Sequence, residues 1–162
     1  MLHLALAACL ALCLAVTVPT AKAQQTASTP AILTVGKQGT PLLTFDRATL
    51  ERLPQHTIPT STPWTTGTVK FEGPLLRDVL GQAGARGATI SAVAMNDYTV
   101  SLPFSDVETY DVIVALKRDG QYMPVRDKGP LWIIYPLDLV AGLQTPAIHS
   151  RMIWQLKAMQ VD

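Results

Sequence analysis

Beyond residue 13 this chain of 162 residues has no cysteine. Its two cysteines, Cys9 and Cys13, fall in an apolar N-terminal run, so the rest can form no disulfide, offer no thiolate to zinc, copper or molybdenum, and run no cysteine nucleophile. An excess of one charge is missing too. Thirteen Lys and Arg face twelve Asp and Glu, which leaves no basic stripe for phosphates and makes nucleic acid and anionic membrane surfaces unexpected partners. Histidine is scarce: past the N-terminal run only His56 and His149 remain, 93 residues apart. Neither has a neighbour at metal-ligand spacing, so no metal site is expected and each reads as a surface or loop residue. No serine sits in a G-x-S-x-G elbow, and His149 beside Ser150 is an adjacency without triad geometry. Phosphate loops, dinucleotide fingerprints and calcium loops are also missing from the sequence.

What is present begins with a leader. From Leu4 to Val18 the residues are almost all Leu, Ala, Val and Cys, an apolar core shorter than the about 20 residues a membrane-spanning helix needs. Ala21-Lys22-Ala23 supplies a small-x-small cleavage pattern, so residues 1–23 read as a signal peptide with Gln24 as the new N-terminus. Leu6-Ala7-Ala8-Cys9 has the form of a lipoprotein box, but little apolar sequence precedes it and lipidation is not expected. Export of a chain without disulfides points to a bacterial periplasm, where a domain of this size stands on its core alone. Removal of the leader takes one basic residue, Lys22, and leaves all ten aromatics in 139 residues, enough for a single packed domain. That mature part contains no transmembrane segment.

Residues 24–30 (QQTASTP) read as a polar tether, and residues 31–162 as the domain. Ile32–Val35 and Leu42–Phe45 suggest two strands joined across a turn with two glycines and a proline. Asp46 can cap a helix that Pro54 stops. After the proline-punctuated stretch Gln55–Thr66, Val69 and Phe71 alternate with charged residues as in a half-buried strand. Gly73-Pro74 is expected to open a helix carrying Leu75, Leu76, Val79, Leu80 and Ala83, with Gly84 as its C-terminal cap. Further strands are expected at Thr89–Ala94, Tyr98–Leu102, Asp111–Arg118 and Leu131–Tyr135, with turns at Asn96-Asp97 and Asp119-Gly120. The chain closes with a strand that places Trp154, Leu156 and Ala158 on one face. The sum is an α+β domain with a mixed or antiparallel sheet and two or three helices.

Two segments gather polar groups beside aromatic ones. Thr57–Gly67 is a loop of hydroxyls around Trp64, with Ser61 in its middle. Arg126-Asp127-Lys128-Gly129-Pro130 is a charged turn just before the apolar run that carries Trp132 and Tyr135. Asn96-Asp97-Tyr98 adds a third element. Such loops can line a pocket for an anionic or polar ligand, with Arg126 and Lys128 as anion partners. Each also has a plain structural explanation, in which the threonines bond one another, the charged turn is solvated and Trp64 packs.

The order VKFEGPLLRDVLGQAGA, AMNDYTVSLP, VIVALKRDGQYMPVRDKGPLWIIYP and a terminal strand with Trp154 resembles the molybdopterin-binding domain of the sulfite oxidase family, across roughly Leu43–Val161. The resemblance implies a mixed α+β fold and, in the full-size enzymes, molybdenum held by a pterin dithiolene and one protein cysteine. It puts that cysteine in the loop Thr60–Trp64, where this sequence has Thr60, Ser61, Thr62 and Pro63. It also implies an arginine and a lysine where Trp132 and Ile153 stand. Such cations compensate an anionic substrate or the pterin phosphate, and an apolar residue cannot.

The expected function is therefore a non-redox binding, sensory or accessory domain, with no cofactor and with Ser61, Trp64, Asn96, Tyr98, Arg126, Lys128 and Tyr135 around a site for a small ligand or beside a periplasmic or membrane protein partner. An alternative keeps molybdopterin, with Ser61 as an alkoxide ligand or a partner subunit completing the site. His56 is then the nearest base in the sequence to deprotonate that serine. An interaction module without a pocket is a third reading.

Overall fold

The computed structural model describes residues 29–37 and 39–162. The expected signal peptide, its cleavage site, Cys9, Cys13 and most of the tether lie outside the described residues. Among the described residues no helix is long and apolar enough to cross a membrane.

The domain is built around a five-stranded mixed sheet. Its first strand, β1 (Leu33–Lys37), and its last, β11 (Leu156–Val161), lie parallel at the centre, from Thr34 opposite Ala158 to Lys37 opposite Val161. On one side β1 pairs antiparallel with β2 (Thr40–Phe45), and on the other β11 pairs with β5 (Thr89–Ala94) and β5 with β6 (Thr99–Pro103). The period of two in Thr89–Ala94 does what alternation dictates: Ile90, Ala92 and Ala94 are buried and the residues between them are half-exposed. In β11 a register shift between Leu156 and Ala158 adds one residue and changes the phase. Leu156, Met159 and Val161 are therefore the buried set, and Ala158 is not on the face shared by Leu156, contrary to the alternation read from sequence.

A four-stranded sheet stands beside it, formed by β3 (Gln55–Thr60), β4 (Val69–Pro74), β8 (Lys117–Arg118) and β9 (Gln121–Tyr122) in that order. A short pair joins β7 (Ile113–Ala115) to β10 (Trp132–Ile134), all six residues buried. Gly73 lets β4 pass against β7: a Cβ there would fall 2.0 Å from the carbonyl oxygen of Val114, a distance no side chain tolerates.

Among the described residues four helices are present, more than the two or three expected. They are α1 (Arg47–Arg52), α2 (Leu76–Gln82), α3 (Phe104–Thr109) and α4 (Pro146–Arg151). Asp46 caps α1 by accepting from the Thr49 N–H at 2.7 Å, and Gly84 follows α2 with φ of 66°, both as the sequence indicates. Pro74 does not start α2. It ends β4 opposite Gln55, Leu75 bridges to Ile113, and the helix begins at Leu76, whose N–H bonds Val112 O. Sheet pairing wins here over the helix-opening habit of proline. The extended stretch after Pro54 likewise pairs into a strand, β3, and the expected strand Asp111–Arg118 divides into β7 and β8 because Leu116 N–H bonds Glu72 O on β4. The sheets, α2, α3 and α4 share one core, in which Trp132, Tyr135, Phe45 and Phe71 are the largest fully buried side chains.

Candidate functional site

All three tryptophans of the chain meet where the β3–β4 loop, β10 and the segment before β11 converge. Trp64 and Trp154 pack edge to face with centroids 5.2 Å apart, and each lies 6.1 Å from Trp132. Phe71 closes on the far side of Trp132 at 5.2 Å. Pairs of this geometry contribute about 1 kcal/mol each beyond the area they bury. Trp132 is fully buried, and its indole N–H donates to Met152 O at 3.0 Å, which ties β10 to the end of α4. Trp64 keeps 36% of its surface in solvent. Here the apolar residue at position 132 is a structural centre, whatever group relatives carry at that place.

A cavity of about 90 Å3 opens beside this cluster, walled by Trp64, Trp154, Tyr98 and His149 with Ser150 at its edge. Ile153, the other position where the resemblance implies a cation, is buried and lines the same cavity. Lys128 stands over the rings with its ammonium 5.7 Å from the centroids of both Trp132 and Trp154. Its backbone adopts φ of 61°, a left-handed conformation uncommon for a side chain of this size. Gly129 follows because a Cβ would land 1.8 Å from Met123 O.

Ser61 sits in a tight polar clamp. Its N–H donates to Asp138 Oδ2 at 2.6 Å and its hydroxyl to Oδ1 at 2.8 Å, while the Asp138 N–H donates to Thr60 Oγ1 at 3.1 Å. Gln144 donates through Nε2 to Asp138 Oδ1 at 2.8 Å. A carboxylate only accepts, so this bond fixes the amide with Oε1 facing His149 Nε2, 3.1 Å away. Amide oxygen only accepts as well, and the proton of neutral His149 is therefore on Nε2. Donation therefore converges on Asp138, from Ser61 on one side and from His149 through Gln144 on the other, and the His149 ring stands edge-on to Trp64 at 6.3 Å. Hydrogen bonds from the Ser61 backbone, foremost, and from the Ser61 and Gln144 side chains hold the Asp138 carboxyl below the usual aspartate range.

A second carboxylate works in the core. Asp106, in the first turn of α3, accepts the Tyr135 hydroxyl at 2.7 Å and Arg151 NH1 at 2.6 Å on the same oxygen, Oδ2. It links α3, the end of β10 and α4. Burial, and then the Asp106 carboxylate, push the Tyr135 hydroxyl far above the usual tyrosine range, so this phenol stays protonated.

Of the seven residues singled out from sequence, Trp64 and Tyr98 line the cavity; Lys128 rests on the Trp132 and Trp154 rings outside the lining, and Ser61 connects to the cavity only through Asp138, Gln144 and His149. Asn96 is adjacent, but its side-chain oxygen accepts from the Tyr98 N–H at 3.2 Å and shapes the turn. Arg126 is exposed and outside the cavity wall. Tyr135 is fully buried and belongs to the Asp106 network rather than to the cavity. Asp138, Gln144, His149 and Trp154 were not singled out as site residues. His149 is half-buried, lies on α4 rather than in a loop and lines the cavity, and a Thr145-Pro146 start to α4 was the one signal that could have placed it on a helix. His56 pairs opposite Gly73 on β3 and is not the group next to Ser61. Among the described residues no three His, Cys, Asp or Glu side chains converge as metal ligands.

Residues 32–142 match the family described as "Oxidoreductase molybdopterin binding domain". The match includes Ser61, Trp64, Asp138 and Lys128 and ends before α4, so His149 and Trp154 lie outside it. Among solved structures the chain is similar to the sulfane dehydrogenase SoxCD from Paracoccus pantotrophus, with a TM-score of 0.59 and 17% identity. The superposition covers 80% of this chain and 37% of that one, so this chain spans little more than a third of the dehydrogenase chain it resembles. No curated protein matches.

Proposed function

Because the chain belongs to the oxidoreductase molybdopterin binding domain family, we propose that it is an exported, non-redox member of that family that has exchanged metal chemistry for ligand binding. The observation that carries this reading is the Ser61 clamp. The resemblance puts the metal's protein sulfur within Thr60–Trp64, and in that loop the Ser61 N–H and hydroxyl are both committed to one carboxylate. The Ser61 and Gln144 hydrogen bonds favour the ionised form of Asp138, and an anion there repels a dithiolene and a pterin phosphate.

Size and charge support the same reading. The cavity beside the tryptophans, about 90 Å3, is below the ~300–1,000 Å3 of sites that enclose drug-sized ligands, and the larger depressions of about 370, 240 and 360 Å3 are walled by other residues. Trp132 and Ile153 fill with apolar surface the places where the resemblance implies cations. The donor set does not fit molybdopterin. What the site offers is an aromatic cavity with a rigid polar rim and one nearby ammonium, suited to a small polar or anionic ligand. Export follows from the leader read in residues 1–23.

The test is release of pterin. The full chain, purified from a host that makes the molybdenum cofactor, is denatured and oxidised, and the fluorescence of freed pterin is read against protein concentration. No pterin above background is expected. One pterin per chain overturns the proposal and restores a molybdopterin-dependent oxidoreductase with Ser61 or a partner subunit completing the site.

A further inference from the structure

Two lysines rest on aromatic rings, and they differ in how their charge is answered. Lys117 lies 4.8 Å from the Tyr122 centroid and has Glu51 at 3.7 Å. Lys128 lies 5.7 Å from two tryptophan centroids, and among the described residues it is in none of the ion pairs. Lys128 is nonetheless half-buried, which makes an unanswered charge more costly than at an open surface. The left-handed backbone at Lys128 and the Gln155 N–H bond to its carbonyl at 3.1 Å fix the turn that presents it. Strain of this kind persists where the surroundings hold it, and it gathers at binding sites. The ring it stands on, Trp154, is also a wall of the cavity, and among the described residues no carboxylate, lysine or arginine lines that cavity.

From this placement we propose that a short-chain monocarboxylate binds at the cavity mouth, its apolar tail inside between Trp64, Trp154 and Tyr98 and its carboxylate outside the lining, reaching past Trp154 to the Lys128 ammonium. The inference rests on the reading of the domain as a metal-free binder and names its ligand class. Size sets the tail: about 90 Å3 is the share of about three waters in the liquid, below the ~150 Å3 that holds a benzene ring, so a branched or straight alkyl chain of about four carbons enters. Charge sets the head. A quaternary ammonium would find the same aromatic walls, but Lys128 already occupies the Trp154 face and would repel it. A neutral isostere keeps the tail contacts and loses the ion pair.

The three tryptophans form one cluster, so their fluorescence reads occupancy. Isovalerate is expected to change the emission saturably in the millimolar range or tighter, as suits so few atoms. Isovaleramide and the Lys128→Met variant are each expected to lose at least about tenfold in affinity, as for a charge-assisted hydrogen bond removed. The comparison of acid with amide uses the wild-type chain alone, so it stands even if a variant misfolds. Equal affinity for acid and amide, no effect of Lys128→Met in a folded variant, or tighter binding of tetramethylammonium overturns the inference. Molybdenum is assayed on the same preparation: a metal-free protein indifferent to isovalerate removes this inference alone, and a metal-loaded one removes the reading it rests on.

Discussion

Asp106 and Asp138 do the same mechanical work in opposite surroundings. Each carboxylate ties distant segments around the aromatic cavity: Asp106 joins α3 and the end of β10 to α4 from the core side, and Asp138 joins the Ser61 loop to Gln144 from the solvent side. Asp106 is buried and shares one oxygen between a cation and a phenol. Asp138 is exposed and spends both oxygens on neutral donors. A buried charge is indispensable to its partners because they lose water as well as the bond when it goes, whereas water replaces an exposed one. The core network therefore fixes the fold, and the surface clamp fixes the loop.

The contrast is broken most severely at Asp106. Asp106→Ala leaves Arg151, three-quarters shielded from solvent, without its countercharge, and a loss of about 3 kcal/mol in unfolding free energy is expected from urea titration at pH 7. A change under 1 kcal/mol contradicts the core role. Tyr135→Phe removes one buried hydrogen bond and is expected to cost about 1 kcal/mol. That variant also sharpens the pH behaviour. The folded Tyr135 stays protonated where the unfolded phenol ionises, so the folded state binds the extra proton and stability falls above about pH 10. Melting temperatures from pH 8 to 11 are expected to fall less in Tyr135→Phe than in the wild type.

Asp138→Asn is expected to have the smallest effect at neutral pH, below about 1 kcal/mol. Its signature lies in acid. The folded carboxyl titrates below the 3.8 of a free aspartate, so its contribution is whole above about pH 4 and is lost as pH falls through the folded value. The wild type is expected to lose more stability between pH 5 and 2 than Asp138→Asn does, measured by thermal melts; equal slopes contradict the clamp. The same variant frees Ser61, which is expected to raise hydrogen exchange at the Ser61 amide while the amides of β10 stay protected.

The frame of the fold was legible because local and global signals agree in it. Period two in Thr89–Ala94, the Asp46 cap, and the turns at Asp97 and Asp119-Gly120, all at positive φ, need only neighbours in sequence to be read. Pro74, β3 and the shifted face of β11 were misread because long-range pairing decides them: Pro74 with Gln55, Leu75 with Ile113, and the extra residue in β11 against β5. Helices α3 and α4 were missed because six residues are too few to show an apolar period. Trp64, Tyr98, Ser61 and Lys128 were marked in the sequence by polar groups beside aromatics, though of these only Trp64 and Tyr98 line the cavity. Their partners Asp138 and His149 were not, since the bonds that matter span 77 residues from Ser61 to Asp138 and pass through an amide of Gln144 that no motif marks.

The central claim is that hydrogen bonding has taken over a loop where the resemblance expects a metal ligand. Its most direct test is the molybdenum-to-protein ratio, by inductively coupled plasma mass spectrometry, of the full chain exported from a cofactor-producing host. The account predicts molybdenum at background. One molybdenum per chain contradicts it.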